Sequence, residues 1–496
     1  MEGRALAIDV IVPRARPRRW HEVLIRRLVA EGHEIAVTHD PAARPWPAGA
    51  NLLLAAERSL LRRREAGLAA PLAAIPPRPP MRPADLRLDL AGNAGRADMP
   101  TLGLRVDGCP FDLAAATAAA LGRLPVLEAV LDGHMVVGRA LPMIDRPEAA
   151  SLGVEDVLAR AVTLLAALVR DFAQGRLSAL GRSAPASAEP GFAGAYLRHA
   201  LPRLGREAWR RMRFHYAHWR VGYRFHDGPG VAETGRLGAG WRALPEVPGR
   251  FYADPFPFWW QDRAYLFVED YAQDARKAAI SVIAFDAAGV PQPPRTVLEA
   301  PHHLSYPQVF ARDGAVWMLP EASAGGGLVL YRAEDFPGRW RAEAVLLEGE
   351  VSDATLLDHG GRLWLFATCR DGFGSTSDTL AVFTAPALAG PWRPHGLNPI
   401  LIDRRRARPG GAFVRDGQGR LFLPVQDGTL GYGGGLGLSE LLALDEKTVR
   451  LAEPRPVLAD GDWPYPRIHT LNRSGPLETI DGIAAVPRGR WTSKAS

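Results

Sequence analysis

Asp254, Asp353 and Glu321 are the residues of this chain best placed by type and spacing to do chemistry. Asp254 precedes a proline in FYADPFPFWW, Asp353 opens SDATLL, and Glu321 ends the strand-like run VWMLPE. Carboxyl groups brought together can divide the breaking of a glycosidic bond, one protonating the leaving oxygen while another activates water or attacks. Tyr306, Gln308, Glu269, Arg408, Gln426 and His469 are the expected substrate-binding residues. Their aromatic, amide, acidic and cationic groups would line a polar pocket suited to sugars. Each residue also has a plainer use. Asp254 could cap a strand, Asp353 could hold an Asx turn, and Glu321 could pair with Arg332. Arg408 could brace neighbouring sheets, and His469 could be an ordinary hydrogen-bonded strand residue.

Residues so far apart need a fold that gathers them, and the sequence repeats itself. FYADPFPFWWQDRAYLFVEDY reads as two aromatic strands around a turn at Gln261-Asp262-Arg263, a hairpin signal. Antiparallel strands return Glu269 to the edge where Asp254 begins. The stretches ADPFPFWWQDRAYLFVED, SYPQVFARDGAVWMLPEA, SDATLLDHGGRLWLFATC and RPGGAFVRDGQGRLFLPVQD share this plan, roughly fifty residues apart. A fifth, divergent unit begins near Tyr465. Units of this length with four short strands are propeller blades, so a five-bladed β-propeller is expected over 240–490. The last unit is short, and its missing outer strand is expected around Trp241. The first strand of each blade would then bring Asp254, Tyr306, Asp353, Arg408 and His469 to one axial funnel. Glu269, Glu321 and Gln426 would reach the same face.

Residues 1–178 read as a separate α/β domain, with strands expected at Ala5–Val12, Glu34–Thr38, Asn51–Ala55 and Asp85–Leu90. Helices are expected at Trp20–Ala30 and Val154–Phe172, and a hairpin around Asp132-Gly133. Residues 179–239 read as a linker, GRSAPASAEPG, followed by a basic aromatic brace from Tyr196 to Phe225. That stretch carries Trp209, Tyr216, Trp219 and Tyr223 among many arginines, and an acidic-lipid or nucleic-acid surface is its other possible use.

The net charge of +6 comes from arginine, since Lys277, Lys447 and Lys494 are the only lysines. This bias suits a GC-rich bacterial genome better than a nucleic-acid footprint, and no nucleic-acid partner is expected. Cys109 and Cys369 show no metal-ligand spacing and suit a reducing compartment. No signal peptide and no membrane span are apparent, which points to a cytoplasmic protein. Neither a GxGxxG nor a P-loop occurs, so no cofactor and no metal are expected. The GYGGG run, Gly431–Gly435, follows no strand–helix pattern and reads as a tight turn.

Two resemblances add to this reading. YADPF, SYPQVF, LPEAS with LYRAEDFPGRW, SDATLL, RPGG, PVQDGTLGYGGG and HTLN before IDG are similar to one known domain. It is the N-terminal domain of the plant glucosamine inositolphosphorylceramide transferase family, and the likeness covers about 240–485. That domain resembles the five-bladed furanosidase-like glycoside hydrolases. The likeness implies Asp254 as general base or nucleophile and Asp353 as the carboxylate that tunes the acid. The fourth-blade glutamate that would be the acid is replaced by Arg408-Pro409-Gly410-Gly411. Glu321 is then the substitute. The family's separate glycosyltransferase domain has no counterpart here. The N-terminal region, through its element order and DLRLDLAGN with PTLGLRVDG, is similar to formyltransferases that use formyl-tetrahydrofolate. It lacks their Asn-x-His pair, and with it the group that polarises the formyl carbonyl; Asp145 is the counterpart of their later aspartate. A degenerate scaffold is implied. The expected function is glycosidase or glycosyl-transfer chemistry on a glycan or glycolipid headgroup. A noncatalytic glycan-binding propeller is one alternative. The other is formyl or acyl transfer by the N-terminal domain, with the propeller recognising substrate.

Overall fold

A computed structural model describes residues 4–42, 46–63, 67–92, 99–183, 190–215 and 218–488. Asn93, residues 184–189 of the expected linker and Tyr216 of the expected brace lie outside the described residues. The chain divides into two compact units: residues 1–209 with 371–375, and residues 210–370 with 376–496.

The first unit is built on a mixed sheet. Glu34–Asp40, Ala7–Pro13, Leu86–Asp89 and Thr101–Val106 lie parallel in that order, and Leu127–Leu131, Met135–Ala140 and Gly181–Arg182 follow antiparallel. The expected Rossmann-type parallel sheet therefore accounts for the first four strands. Ala150–Ala173 is the long helix anticipated from its apolar spacing, with Val157, Leu158, Ala161 and Leu165 buried. Asn51–Ala55, expected as a strand, is instead part of the helix Ala50–Leu60. Its Leu, Ala, Glu and Arg are strong helix formers, and the helix buries Leu54 and Glu57 while Leu52 and Leu60 face solvent.

The second unit is a five-bladed β-propeller. Four blades follow chain order: Arg250–Trp260 to Arg295–Leu298, Ser305–Arg312 to Arg339–Glu348, Val351–His359 to Arg393–Pro394, and Val414–Arg415 to Val449–Leu451. Their first hairpins turn tightly. Gln261-Asp262, Asp313-Gly314 and Gly360-Gly361 each adopt positive φ at both positions, the two-residue turn that matches strand twist. Five apolar clusters alternate with the five sheets. Phe258 and Phe267 of the first blade pack with Met318 and Trp340 of the second, and Leu319 and Leu330 with Leu365 of the third. Trp364 and Phe366 pack with Leu423 and Val425, Phe422 and Leu438 with Leu471 and Ile480, and Val221 and Leu477 with Tyr252 and Leu266. The last of these clusters closes the ring. Each large side chain so buried contributes about 1.5–3 kcal/mol.

Closure places the outer strand beside Trp241, as expected, but uses one strand more than the sequence reading gave it. The fifth blade takes Leu471–Ser474 and Leu477–Ala484 from the end of the domain, and its third strand is His218–Phe225. His218–Phe225 pairs along its whole length with Leu477–Ala484, so this part of the expected brace belongs to the propeller. The region near Trp241 supplies only the outermost pair, Arg242–Ala243. Burial decides the assignment: Trp219, Val221 and Tyr223 point inward, with Arg220, Gly222 and Arg224 at the alternate positions. A fragment beginning at residue 210 should therefore unfold cooperatively in a thermal melt. One beginning at residue 240 should not, and equal cooperativity of the two would refute the closing role.

Candidate functional site

Three blades open on the same backbone irregularity. Ala253 pairs with Glu269 and Phe256 with Phe267, which leaves Asp254 and Pro255 opposite Val268 alone. Tyr306 with Pro307, and Asp353 with Ala354, are placed identically in the next two blades. These are β-bulges, two residues facing one, and they re-aim the side chain they carry. Asp254, Tyr306 and Asp353 have φ of 46°, 46° and 49°, in the left-handed region that costs on the order of 1–3 kcal/mol per residue. In the fourth blade the opening is Gly410-Gly411. A Cβ on Gly411 would lie 2.1 Å from the Leu471 carbonyl oxygen, so that close approach admits no side chain. Here the chain instead sends in Arg408.

Arg408 organises one half of the site. Its Nε donates to Asp353 Oδ2 at 2.5 Å and its Nη2 to Asp353 Oδ1 at 3.2 Å, a two-pronged ion pair. Nη2 also donates to Glu321 Oε2 at 3.4 Å, and Nη1 to Ser377 Oγ at 3.0 Å. Gln426 Nε2 donates to Asp353 Oδ2 at 2.6 Å. Glu321 accepts further from Ser323 Oγ, Ser352 Oγ and the Asp353 backbone N–H. Burial pushes the Asp353 carboxyl up to about 7 against the opposing pull of Arg408, with Glu321 adding repulsion. Burial also works against the Arg408 charge, but Asp353, Tyr432 and Glu321 together raise it well above its ordinary value.

Asp254 organises the other half. It accepts from Thr470 Oγ1 at 2.9 Å and from the Tyr306 N–H at 3.3 Å, and His469 Nε2 stands 3.4 Å from its Oδ1. His469 Nδ1 is 2.8 Å from Asp481 Oδ2, and Asp481 also receives the backbone N–H groups of Asp254, His469 and Thr470. The imidazole is sandwiched against Trp219, with centroids 3.8 Å apart and planes 16° off parallel. Burial pushes Asp254 up to about 7; His469 opposes this, and Glu269, Asp353 and Asp481 reinforce it. Burial alone would lower His469, but Asp481 and Asp254 raise it to about 9. Ligand atoms of Asp254, His469 and Asp481 lie within 4.8 Å of one another, close enough for a cation. The imidazole stands between the two carboxylates, within ion-pair distance of each.

Tyr432 joins the halves, its ring under the Arg408 guanidinium at 5.4 Å and edge-on to His469 at 5.6 Å. Glu269 is 3.3 Å from His303 Nε2. Burial disfavours the His303 charge, yet Glu269 raises it above the ordinary value. The repeat thus brings Asp254, Asp353, Glu321, Glu269, Arg408, Gln426 and His469 into two linked clusters. Tyr306 and Gln308 are spent on the ring itself. The Tyr306 hydroxyl holds Thr355 Oγ1 and the Gly411 N–H, and Gln308 both accepts from and donates to the Leu356 backbone. Arg332 lies over the Trp317 ring and is no partner of Glu321. Trp219, His303, Tyr432, Thr470 and Asp481 went unrecognised as site residues in the sequence, although Asp481 lies in the IDG segment and Tyr432 in GYGGG. A cavity of about 840 Å³ in this unit, lined by Trp259, Tyr265, Phe285 and Arg263, is at the turn end of the first hairpin. It is not at the carboxylates.

Residues 242–459 match the family described as "Glucosamine inositolphosphorylceramide transferase 1, N-terminal", so the resemblance read from the sequence holds over that segment. The Arabidopsis thaliana protein named glucosamine inositolphosphorylceramide transferase 1 is 34% identical over 212 residues, covering 42% of this chain and 28% of its own length. The protein of that name from Oryza sativa subsp. japonica is 33% identical, with 38% and 25% covered. The chain thus spans about a quarter of the length of these curated relatives. Both are plant proteins and lend no support to a bacterial origin. Among solved structures, the catalytic domain of a Coprinopsis cinerea alpha-L-arabinofuranosidase superposes with a TM-score of 0.37, at 15% identity over 56% of this chain and 93% of that one. A Cellvibrio cellulosa alpha-L-arabinanase gives 0.33, at 18% identity over 44% and 84%.

Arg408→Met leaves Asp353 and Glu321 without their cation and should destabilise the propeller by about 3–5 kcal/mol in urea unfolding; an unchanged midpoint would contradict the pairing. Asp254, raised from 3.8 to about 7, keeps a proton in the folded state that the unfolded chain has released. Its stabilising contribution is full below about pH 4 and is lost as pH rises through about 7. The Tm of Asp254→Asn should therefore fall less than that of the parent between about pH 5 and about pH 8.

Proposed function

We propose that the axial site of the propeller is carbohydrate-active, working on a glycan or glycolipid headgroup by glycosidase or glycosyl-transfer chemistry. The observation that carries this reading is Asp254, a buried carboxyl pushed up to about 7 and backed by His469 and Asp481. A group that titrates near neutrality can both take and return a proton, as a general base must. The match of residues 242–459 to a glycolipid transferase family supports the substrate class. In this reading Asp254 moves the proton, and His469 with Asp481 sets its charge. Asp353 and Gln426 fix Arg408, which faces sugar hydroxyls or a phosphate. Glu321, whose oxygens already accept from Ser323, Ser352, Arg408 and a backbone N–H, helps hold Arg408 and is a poorer candidate for the acid. No cofactor is needed.

A noncatalytic glycan-binding propeller is the second reading. It is favoured by Gly411, where the backbone approach leaves no room for a fourth-blade carboxylate. For the N-terminal unit we infer a degenerate formyltransferase-like scaffold, supported by its parallel first four strands and its lack of an Asn-x-His pair. The setting we infer is the cytoplasm, supported by cysteines that form no disulfide; no described helix is long and apolar enough to cross a membrane.

Screening activated furanosides, pyranosides and nucleotide sugars beside a glycan array separates the readings. Under the catalytic reading, Asp254→Asn lowers turnover by about 10²–10⁴-fold and leaves glycan affinity largely intact. Glycan binding without turnover by the parent protein would favour the binding module. Neither binding nor turnover would sink both.

A further inference from the structure

The helix Leu201–Arg213, which continues from the wide turn Tyr196–Ala200, is amphipathic in an inverted sense. Its anchoring contacts come from buried and polar groups. Tyr196 and Ala200 are buried, and the Tyr196 hydroxyl donates to Glu57 Oε2 at 2.8 Å. The Arg203 guanidinium donates to the carbonyl oxygens of Ala119, Ala120 and Pro147 at 2.9–3.1 Å. The apolar side chains point the other way. Leu197 is 55% exposed, Leu201 49%, Trp209 54% and Met212 69%, and no residue of Leu201–Arg213 is buried. Leu201, Ala208, Trp209 and Met212 fall at i, i+7, i+8 and i+11, one face of a helix. Arg198, Arg206, Arg211 and Arg213 flank that face and Arg210 lies opposite it, against Glu207 as the one acidic residue between Tyr196 and Arg213.

A contiguous set of large apolar side chains held outward by a rigidly anchored helix marks an interaction surface. The charge beside it selects the occupant. A bilayer with anionic headgroups accepts apolar side chains at the acyl boundary and arginines at the phosphate level, the arrangement of an interfacial helix. Duplex nucleic acid would engage the arginines but leave Leu201, Met212 and Trp209 in water. We propose that this helix docks the protein on an anionic membrane surface, lying in the interface with Leu197, Leu201, Trp209 and Met212 inserted. The inference does not depend on any activity of the propeller.

The test is flotation of the full chain with vesicles of phosphatidylcholine alone and of phosphatidylcholine mixed with phosphatidylserine, beside a mobility shift with duplex DNA. The protein should float with the anionic vesicles, at least about tenfold less with the neutral ones, and less as salt is raised. Leu201→Glu combined with Met212→Glu should abolish flotation without changing Tm, because both side chains are exposed. Leu201→Ala with Met212→Ala should bind at an intermediate level, which guards against misfolding of the charged variant. Failure to float with either vesicle, or flotation unaffected by both double variants, would overturn the proposal. A DNA shift without vesicle binding would reassign the surface to nucleic acid.

Discussion

One guanidinium holds the axial site together. Arg408 enters from the fourth blade and neutralises carboxylates from the third and the second, Asp353 and Glu321, both nearly shut off from solvent. Buried charges are costly to desolvate by several kcal/mol each, and only close, multiply bonded geometry offsets that. The planar fork of arginine supplies such geometry on Asp353, and a lysine would not. The position of the cation follows from backbone crowding. Gly411 presses against the Leu471 carbonyl, so the residue that opens the fourth blade has no side chain to present, and the charge arrives from three residues earlier.

The second half of the site uses the same economy with different groups. Asp481 gathers three backbone N–H groups and an imidazole, and that imidazole faces Asp254. The strained bulges at Asp254 and Asp353 are held by these contacts, so local backbone and site electrostatics stabilise each other. Tyr432, between Arg408 and His469, means that a change in either half is felt through a shared aromatic ring.

Much of this was readable because the blades repeat. Recurring turns at Gln261-Asp262, Asp313-Gly314 and Gly360-Gly361 fixed the hairpins, and the residues at the strand mouths had to converge. Asp254, Asp353, Glu321 and Arg408 were found this way. What escaped depended on contacts that no repeat encodes. Tyr306 and Gln308 occupy the right register, yet their polar atoms satisfy neighbouring backbone. His218–Phe225 looked like a charged brace because its arginines obscured the inward Trp219, Val221 and Tyr223. Asn51–Ala55 was too short an apolar run to separate helix from strand by pattern alone.

The ring is fastened by a strand that precedes it. His218–Phe225 is complete 252 residues before its partner begins at Leu477. At typical rates of synthesis the early strand waits on the order of ten to fifty seconds with open hydrogen-bonding edges. An unpaired edge of that length invites pairing with another chain, and charged residues within it discourage such pairing. Arg220 and Arg224 sit in this strand next to Trp219 and Tyr223, the aromatics that later become core. The arginines that hid the strand from a reading of the sequence are thus residues of the kind that discourage edge pairing while the partner strand is still to be made.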